Sequence, residues 1–416
     1  MSRRKGVLLL LPTRTYRATD FLAAAARLDI EVVVGSDRPQ TLFELSPRKT
    51  LTLNFQDAAK GTEEIVRFAS VYPIDAIIGV DDDTTMLAAT ASNALSFPYN
   101  SAASAYATRN KYRMRKALAD AGIRSPRFNV FSTDENPATL VDQIGFPCVV
   151  KPLSLSASRG VIRADGPDEF VAAFRRVAAI LQTSDVGNRG DAETQQVLVE
   201  CYIPGIEVAL EGILLGGKLK TLAIFDKPDP LDGPFFEETL YITPSRLPDH
   251  LQEEIAGVTA HAAKSLGLLE GPVHAELRLN DEGAWPLEIA ARSIGGLCSR
   301  TLRFGTGMSL EELILRHAVG MEVQSLEREA AAAGVMMIPI PRPGILCEVR
   351  GKSEAEGVTG IEGITISIPL GQTVVPLPEG SRYLGFIFAR GNTPADVEQS
   401  LREAHGRMEF VIGHHA

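Results

Sequence analysis

Cysteine is scarce: only Cys148, Cys201, Cys298 and Cys347 occur in 416 residues, and they lie far apart. No CxxC pair and no zinc-ligand spacing arises among them, which argues against a cysteine-based metal site. Most of them read as core thiols in a reducing compartment. No apolar run approaches the length needed to cross a bilayer. The start, MSRRKGVLLLLPTR, mimics a signal peptide, but Val7 to Leu11 is short and Pro12, Thr13 and Arg14 end it without a small-residue cleavage site. It reads as a first buried strand of a cytoplasmic protein. An excess of basic residues is missing too. Lys and Arg number 42 against 52 Asp and Glu, a net charge of −10. A general nucleic-acid binder needs a basic surface, so the charge argues against that class, while local basic pockets remain open. GxGxxG and Walker A loops are absent; GILCEVRGKS (344–353) approaches the latter, but its glycines stand too far apart.

The remainder is an ordinary globular composition, 45% hydrophobic and 23% charged, in a chain too long for one core, so two or three domains are expected. Residues 7–11, EVVVGS (31–36) and DAIIGV (75–80) have the all-apolar character of buried parallel strands. A helix through Ala26 and another over TEEIVRFASVY (62–72), with Thr62 as N-cap, alternate with them. This pattern predicts a doubly wound α/β unit over residues 1–105. RNKYRMRKALADAG (109–122) predicts a helix with a terminal glycine, and DVGNRGDAETQQ (185–196) an exposed excursion. Beyond about residue 335, short β-type runs and a Thr393-capped helix near 394–405 predict a small α+β domain. The expected division is 1–105, 106–325 and 326–416.

Two stretches carry chemistry. PCVVKPLSLSASRGVI (147–162) ends an apolar strand on Lys151 and follows it with a serine- and glycine-rich loop. Backbone N–H groups and hydroxyls in such a loop can wrap phosphate oxygens beside the lysine's charge. A surface turn with a solvated lysine is the alternative. VHAELRLNDEGAWPLEIAARSIGG (273–296) alternates on both sides of the turn signal NDEG. A loop of Asp281, Glu282 and Gly283 would face Asn280 with Ala284 and Glu276 with Glu288. Val273, Ala275, Leu277, Leu279, Trp285, Leu287 and Ile289 then form a core face; His274, Glu276, Arg278, Glu288 and Arg292 form the other. Opposed carboxylates about 5 Å apart repel unless something neutralises them. A magnesium ion that also binds substrate phosphates is one answer. Neutralisation by Arg278 and Arg292 is the other. HAE lacks the later P-C-x-x-C of a zinc deaminase, so His274 reads as a structural or supporting group.

In chain order, Lys111 in RNKYRMRKALADAGI, Lys151 in FPCVVKP, the loop SLSASRGV, VLVECYIPGIEVALEG (197–212), the carboxylate hairpin and EIAARSIGG resemble the ATP-grasp superfamily from about residue 100 to 325. The resemblance implies an N-terminal doubly wound α/β domain, a central ATP-grasp fold and a small C-terminal α+β domain. It implies that Lys111 and Lys151 contact ATP phosphates, and that Ser156, Ser158, Arg159 and Gly160 form a loop that covers them. Glu200, Tyr202 and Ile203 would lie in the hinge that reads adenine, and Glu207 would bind ribose. Glu276 and Glu288 would hold Mg²⁺ (Mn²⁺ as the alternative ion), and Arg292 would steady the reacting carboxyl phosphate. The family's usual asparagine two residues after the second glutamate is Ala290 here.

AIFDKPDPLDGPFFEETLYITPSRL (223–247), EIAARSIGGLCSR and the glycine-rich tail look most like the L-amino-acid ligases, carboxylate–amine ligases that join amino acids. That likeness would place Lys227 near the phosphates; otherwise it is a turn lysine in DKPDP. It also implies small-molecule carboxylate and amine substrates, with no nucleic-acid or membrane partner. Specificity is expected from residues 223–247, from 293–303 with Arg300 and Arg303, and from Asp81 to Thr84. The oligomeric state is left open, with a homodimer as one option. A bicarbonate-dependent carboxylase and a non-catalytic ATP-binding module are the rival readings.

Overall fold

A computed structural model describes residues 3–38, 49–187 and 192–413. The chain opens with β1 (Gly6–Leu10), α1 (Ala18–Arg27), β2 (Glu31–Ser36), β3 (Thr50–Thr52), α2 (Ala58–Val71), β4 (Ala76–Gly79) and α3 (Asp82–Ala94). The four strands form a parallel sheet in the order β3-β2-β1-β4. Every residue of β1 is buried because both faces are covered. Leu8 and Leu10 pack with Ile65 of α2 and Leu87 of α3; Val7 and Leu9 pack with Phe21 of α1 and, from far along the chain, Leu313 and Ile314.

The helix expected over 62–72 begins earlier than its sequence predicts. Asp57, not Thr62, caps α2 by accepting from Lys60 N–H, and Thr62 instead meets the Thr90 hydroxyl at 2.8 Å. Gly61 is where α2 lies against Leu87: a Cβ there would come within 2.8 Å of that side chain. Next come α4 (Ala102–Arg109) and α5 (Lys111–Asp120), with Asn110 between them accepting from Arg113 N–H as the cap of α5.

A four-stranded antiparallel sheet, order β5-β8-β6-β7, is built from β5 (Phe128–Ser132), β6 (Cys148–Pro152), β7 (Ile162–Ala164) and β8 (Gln196–Cys201). The helix α6 (Pro167–Leu181) covers it with Phe170, Phe174 and Val177. The short α7 (Ser184–Gly187) follows, and of the expected excursion 185–196 residues 188–191 lie outside the described residues.

An eight-stranded sheet takes its strands from the rest of the chain. It starts with β9 (Ile206–Leu215), β10 (Lys218–Asp226) and β11 (Leu240–Thr243). After α8 (Asp249–Ser265) come β12 (Gly271–Asn280) and β13 (Gly283–Ala290). The ribbon β14 (Arg303–Phe304) and β15 (Met308–Ser309) leads into α9 (Leu310–Ala318), the distant helix that covers β1. The tail holds β16 (Ala332–Ile338), β17 (Gly344–Arg350), α10 (Lys352–Glu356), β18 (Ile361–Ile366) and β19 (Thr373–Val374). It ends in β20 (Gly385–Gly391), α11 (Pro394–Gly406) and β21 (Glu409–Gly413). Thr393 and Asp396 form a capping box on α11. The order β13-β12-β9-β10-β11-β16-β20-β18 carries the sheet from the hairpin into the tail. A three-stranded sheet, β19-β17-β21, completes the tail. Among the described residues no helix is long and apolar enough to cross a membrane.

The hairpin departs from its expected register at the turn. Asn280 faces Gly283, not Ala284, so the loop has two residues rather than three. A bulge at Leu287 then restores the step, and Glu276 faces Glu288 as the alternation predicts. The shift moves Ala284 into the core in place of Trp285, whose indole N–H donates to Asn280 Oδ1, while Leu287 turns to a cavity. β13 is a sheet edge, where Pro286 costs no ladder bond.

Candidate active site

A cavity of about 340 Å³ opens between the parallel sheet, the four-stranded sheet and the hairpin. Its lining includes Lys111, Lys151, Ser156, Ser158, Glu200, Tyr202, Ile203, Glu207, Glu276, Glu288 and Arg292. Residues separated by 181 positions thus share one wall-to-wall space. Arg159, Gly160 and Lys227 are not in the lining.

Lys151 is the penultimate residue of β6 and is paired with Glu200 on the neighbouring strand β8. Arg115 of α5 reaches the same carboxylate at 2.8 and 3.2 Å, and all three side chains are buried. Arg115 also donates to the carbonyls of Pro286 and Leu287, so the bulge delivers its carbonyls to this guanidinium. Burial would raise the Glu200 carboxyl, but Arg115 and Lys151 hold it down at about 2. Burial lowers Lys151 to about 8, with Glu200 opposing and Arg115 and Lys111 assisting. The group is ionised at neutral pH, with one carboxylate for two cations.

Lys111 is the first residue of α5. Its ammonium donates to Leu155 O at 2.6 Å and lies 3.9 Å from Glu288. In the loop below it, Ala157 and Ser158 adopt left-handed conformations (φ 55° and 54°), the kind of turn that aims successive N–H groups into a concavity. Arg159 turns outward to Asp185 at 2.6 Å. Gly160 (φ +74°) presses on Pro152, where a Cβ would sit 2.8 Å from the ring.

The hinge after β8 is held by Arg278, which donates to Ile203 O at 2.8 Å and to Glu207 at 3.1 Å. Its guanidinium lies 4.9 Å from the Tyr202 ring and 5.6 Å from that of Phe236, and Arg163 covers Tyr202 at 4.1 Å.

Behind the hinge, carboxylate oxygens of Glu207, Glu238 and Glu276 lie within 4.8 Å of one another. Lys227 is the cation among them, 2.8 Å from Glu207, 3.6 Å from Glu276 and paired with Glu238. Burial and the Glu276 charge push Glu238 up to about 7, against the pull of Lys227. Glu276 itself is held low: Lys227 and His274 outweigh its burial. His274 lies between Glu211 (3.2 Å) and Glu276 (3.5 Å). Burial would lower the imidazole, and these carboxylates raise it to about 9. Glu211 also accepts Ile294 N–H at 3.0 Å, which anchors the segment after Arg292.

Arg292 donates to Asp82 at 2.8 Å and to Ser293 O at 3.0 Å, joining the hairpin to the start of α3. Burial opposes its charge and Asp82 more than restores it. Buried Arg17 runs parallel, donating to Ser293 Oγ at 2.7 Å and to Val80 O at 3.2 Å. Arg300 and Arg303, expected near a substrate, line no part of this cavity. Arg300 grips Asp20 at 2.9 and 3.0 Å.

The donor set suits a divalent cation at one place. Among Glu207, Glu238 and Glu276 the Lys227 ammonium holds the position an ion would take. Among the described residues Glu288 has only Lys111, at 3.9 Å, as an ion-pair partner. Ala290 is buried opposite His274 and offers no ligand.

Family comparison follows the same geometry. Residues 144–301, which hold Lys151, Glu200, Glu276, Glu288 and Arg292, match the ATP-grasp domain. The chain thus carries an ATP-grasp domain. Residues 22–99 match the ATP-grasp N-terminal domain and 336–413 the L-amino acid ligase C-terminal domain 2. The ATP-grasp chain is 28% identical over 265 residues to an alanine–anticapsin ligase of Bacillus subtilis, covering 61% of this chain and 56% of that one. Against the same-named protein of Bacillus subtilis strain 168 it is 26% identical over 310 residues, 70% of this chain and 65% of the relative. The chain therefore spans between 56% and 65% of the length of these curated relatives. Its fold is that of an L-amino acid ligase from Bacillus licheniformis, with a TM-score of 0.83, 24% identity and coverage of 99% of this chain and 100% of that one.

Sequence reasoning missed Glu238, Glu211, Arg17 and Arg115. Acids inside the apolar runs VALEGILL and FFEETLY were the available signal for Glu211 and Glu238.

Proposed function

We propose that this ATP-grasp protein is an ATP-dependent ligase that joins a carboxylate to an amine through an acyl phosphate, with ADP and phosphate as products. One observation carries the reading: Lys111, Lys151, the serine loop, the opposed Glu276 and Glu288, and Arg292 all line a single cavity. A carboxylate does not react with an amine at neutral pH because its leaving group is poor. Transfer of the γ-phosphoryl group to its oxygen supplies one. The amine then attacks the carbonyl carbon, loses a proton, and phosphate leaves.

In this reading Lys111 and Lys151 bind the phosphates, and Ser156 and Ser158 with the N–H groups around them cover the transferred group. The Glu200–Ile203 hinge and Glu207 hold the nucleoside. Glu276 and Glu288 hold Mg²⁺, which when bound neutralises phosphate charge. Arg292 stabilises the oxyanion that develops on amine attack. Lys227 acts indirectly, by fixing Glu207, Glu238 and Glu276. Arg159 and Gly160 shape the loop. An amino acid is the fitting carboxylate donor: Arg292 offers a cation for its carboxylate and Glu238 an acid for its ammonium. The alanine–anticapsin ligases named above support this class. Four free cysteines fit a reducing cytoplasm.

The test mixes the purified protein with ATP, Mg²⁺ and pooled amino acids and resolves the nucleotides. ADP that appears only with amino acids supports the ligase. ADP driven by bicarbonate alone would replace it with a carboxylase, and ATP binding without turnover with a binding module. AMP and pyrophosphate would refute the acyl-phosphate route.

A further inference from the structure

A second cavity, about 470 Å³, lies beside the β14–β15 ribbon at the start of α9. Arginines from three places line it: Arg27 at the end of α1, Arg303 in β14 and Arg316 in α9. Arg27 is paired with Glu312, also in the lining, at 2.9 Å. Arg303 and Arg316 have no carboxylate partner among the described residues. Arg303 donates from one nitrogen to Arg300 O and Leu302 O, and Arg316 from one nitrogen to Glu322 O. Most of each guanidinium's N–H edge is thus left for the cavity. Three cations face one carboxylate here, in a chain whose net charge is −10. Thr306 and Ser325 add hydroxyls to the same wall.

We propose that this cavity is a second ligand site, taking a small, multiply charged oxyanion held by the guanidiniums of Arg27, Arg303 and Arg316. Guanidinium forks match both phosphate and paired carboxylates, so the shared chemistry is bidentate oxyanion recognition. The site is separate from the cavity of Lys151, and the inference does not depend on the ligase reading. It does sit on the helix that carries Glu311, which lies 3.7 Å from Arg17 in the wall of the first cavity.

Titration calorimetry of the full chain with inorganic phosphate, and separately with malonate, in magnesium-free buffer tests the proposal. Saturable binding of at least one probe is expected. Arg316→Gln and Arg303→Gln should each weaken it about tenfold or more, the usual loss for a charge-assisted contact. Lys151→Ala, which alters the other cavity, should leave it within about twofold. Phosphate binding without malonate binding would mark a phosphorylated ligand, and the reverse a dicarboxylate. Arg316 is a half-buried helix residue, so its variant keeps the test valid if Arg303→Gln fails to fold. No binding of either probe would overturn the proposal. So would binding lost in Lys151→Ala but unchanged in Arg316→Gln.

Discussion

Glu276 faces Glu288 across the β12–β13 ladder although their neighbours are out of step: Leu277 faces Pro286, and Leu287 is extruded between. The two acids therefore meet at the cavity because of the bulge. If they hold the metal, Glu288→Gln should lower turnover at least about tenfold and raise the Mg²⁺ concentration needed for half-maximal rate, with an unchanged circular dichroism spectrum. Unaltered activity would remove the hairpin from the metal site.

Lys151 should give ATP binding a pH dependence. Its folded pKa of about 8 lies below the ordinary lysine value, so the ammonium is lost as pH rises through that point. Phosphates favour the charged form, so ATP affinity should fall above about pH 8 and binding should take up a proton there. Lys151→Arg stays charged and should flatten the profile; Lys151→Ala should weaken binding at all pH values. Calorimetry across about pH 6.5–9.5 checks all three.

Arg115 should matter to stability. Arg115→Met removes one of two cations from buried Glu200 and orphans the carbonyls of Pro286 and Leu287. Breaking such a buried group costs roughly 3–5 kcal/mol, readable as a lower urea midpoint. A midpoint within error of the wild type would show that Lys151 alone satisfies Glu200.

Gly205 should not tolerate a side chain. It sits at φ +125°, and a Cβ would lie 2.0 Å from Leu279 O. Gly205→Ala should destabilise by at least about 2 kcal/mol and loosen the hinge that precedes Glu207, raising the KM for ATP. Thermal unfolding with nucleotide kinetics measures both.

Arg292 should separate binding from chemistry. Arg292→Lys keeps a charge but loses the fork that holds Asp82 and Ser293 O together. Nucleotide affinity should hold while kcat drops by about tenfold or more. A loss confined to nucleotide affinity would contradict the assignment.

The parallel strands, the capped final helix and the Glu276–Glu288 pair were legible because each rests on local pattern. The pair was reached through a compensating error: the three-residue turn expected from NDEG is two residues, and the bulge at Leu287 makes up the difference. The carbonyls of that bulge are bound by Arg115, which in sequence is only another good helix former. The covering of β1 by α9 was hidden as well, since a helix at 310–318 carries no mark of the sheet it meets. In sequence Thr62 reads as the cap in place of Asp57, since the contact that fits Gly61 into α2, with Leu87 of α3, joins segments far apart along the chain. Sequence pattern encodes what a segment is, and much less of what it will touch.

The eight-stranded sheet has no seam between β13, which bears Glu288, and β18 in the tail. The tail is therefore a keel and not a passenger. Deleting it would leave β11 with a raw edge, its peptide groups unmatched a few residues from Glu238, and would strip α11 from the face it seals. A protein built this way cannot exchange its last segment as a cassette without re-laying the planks beneath its own reaction cavity.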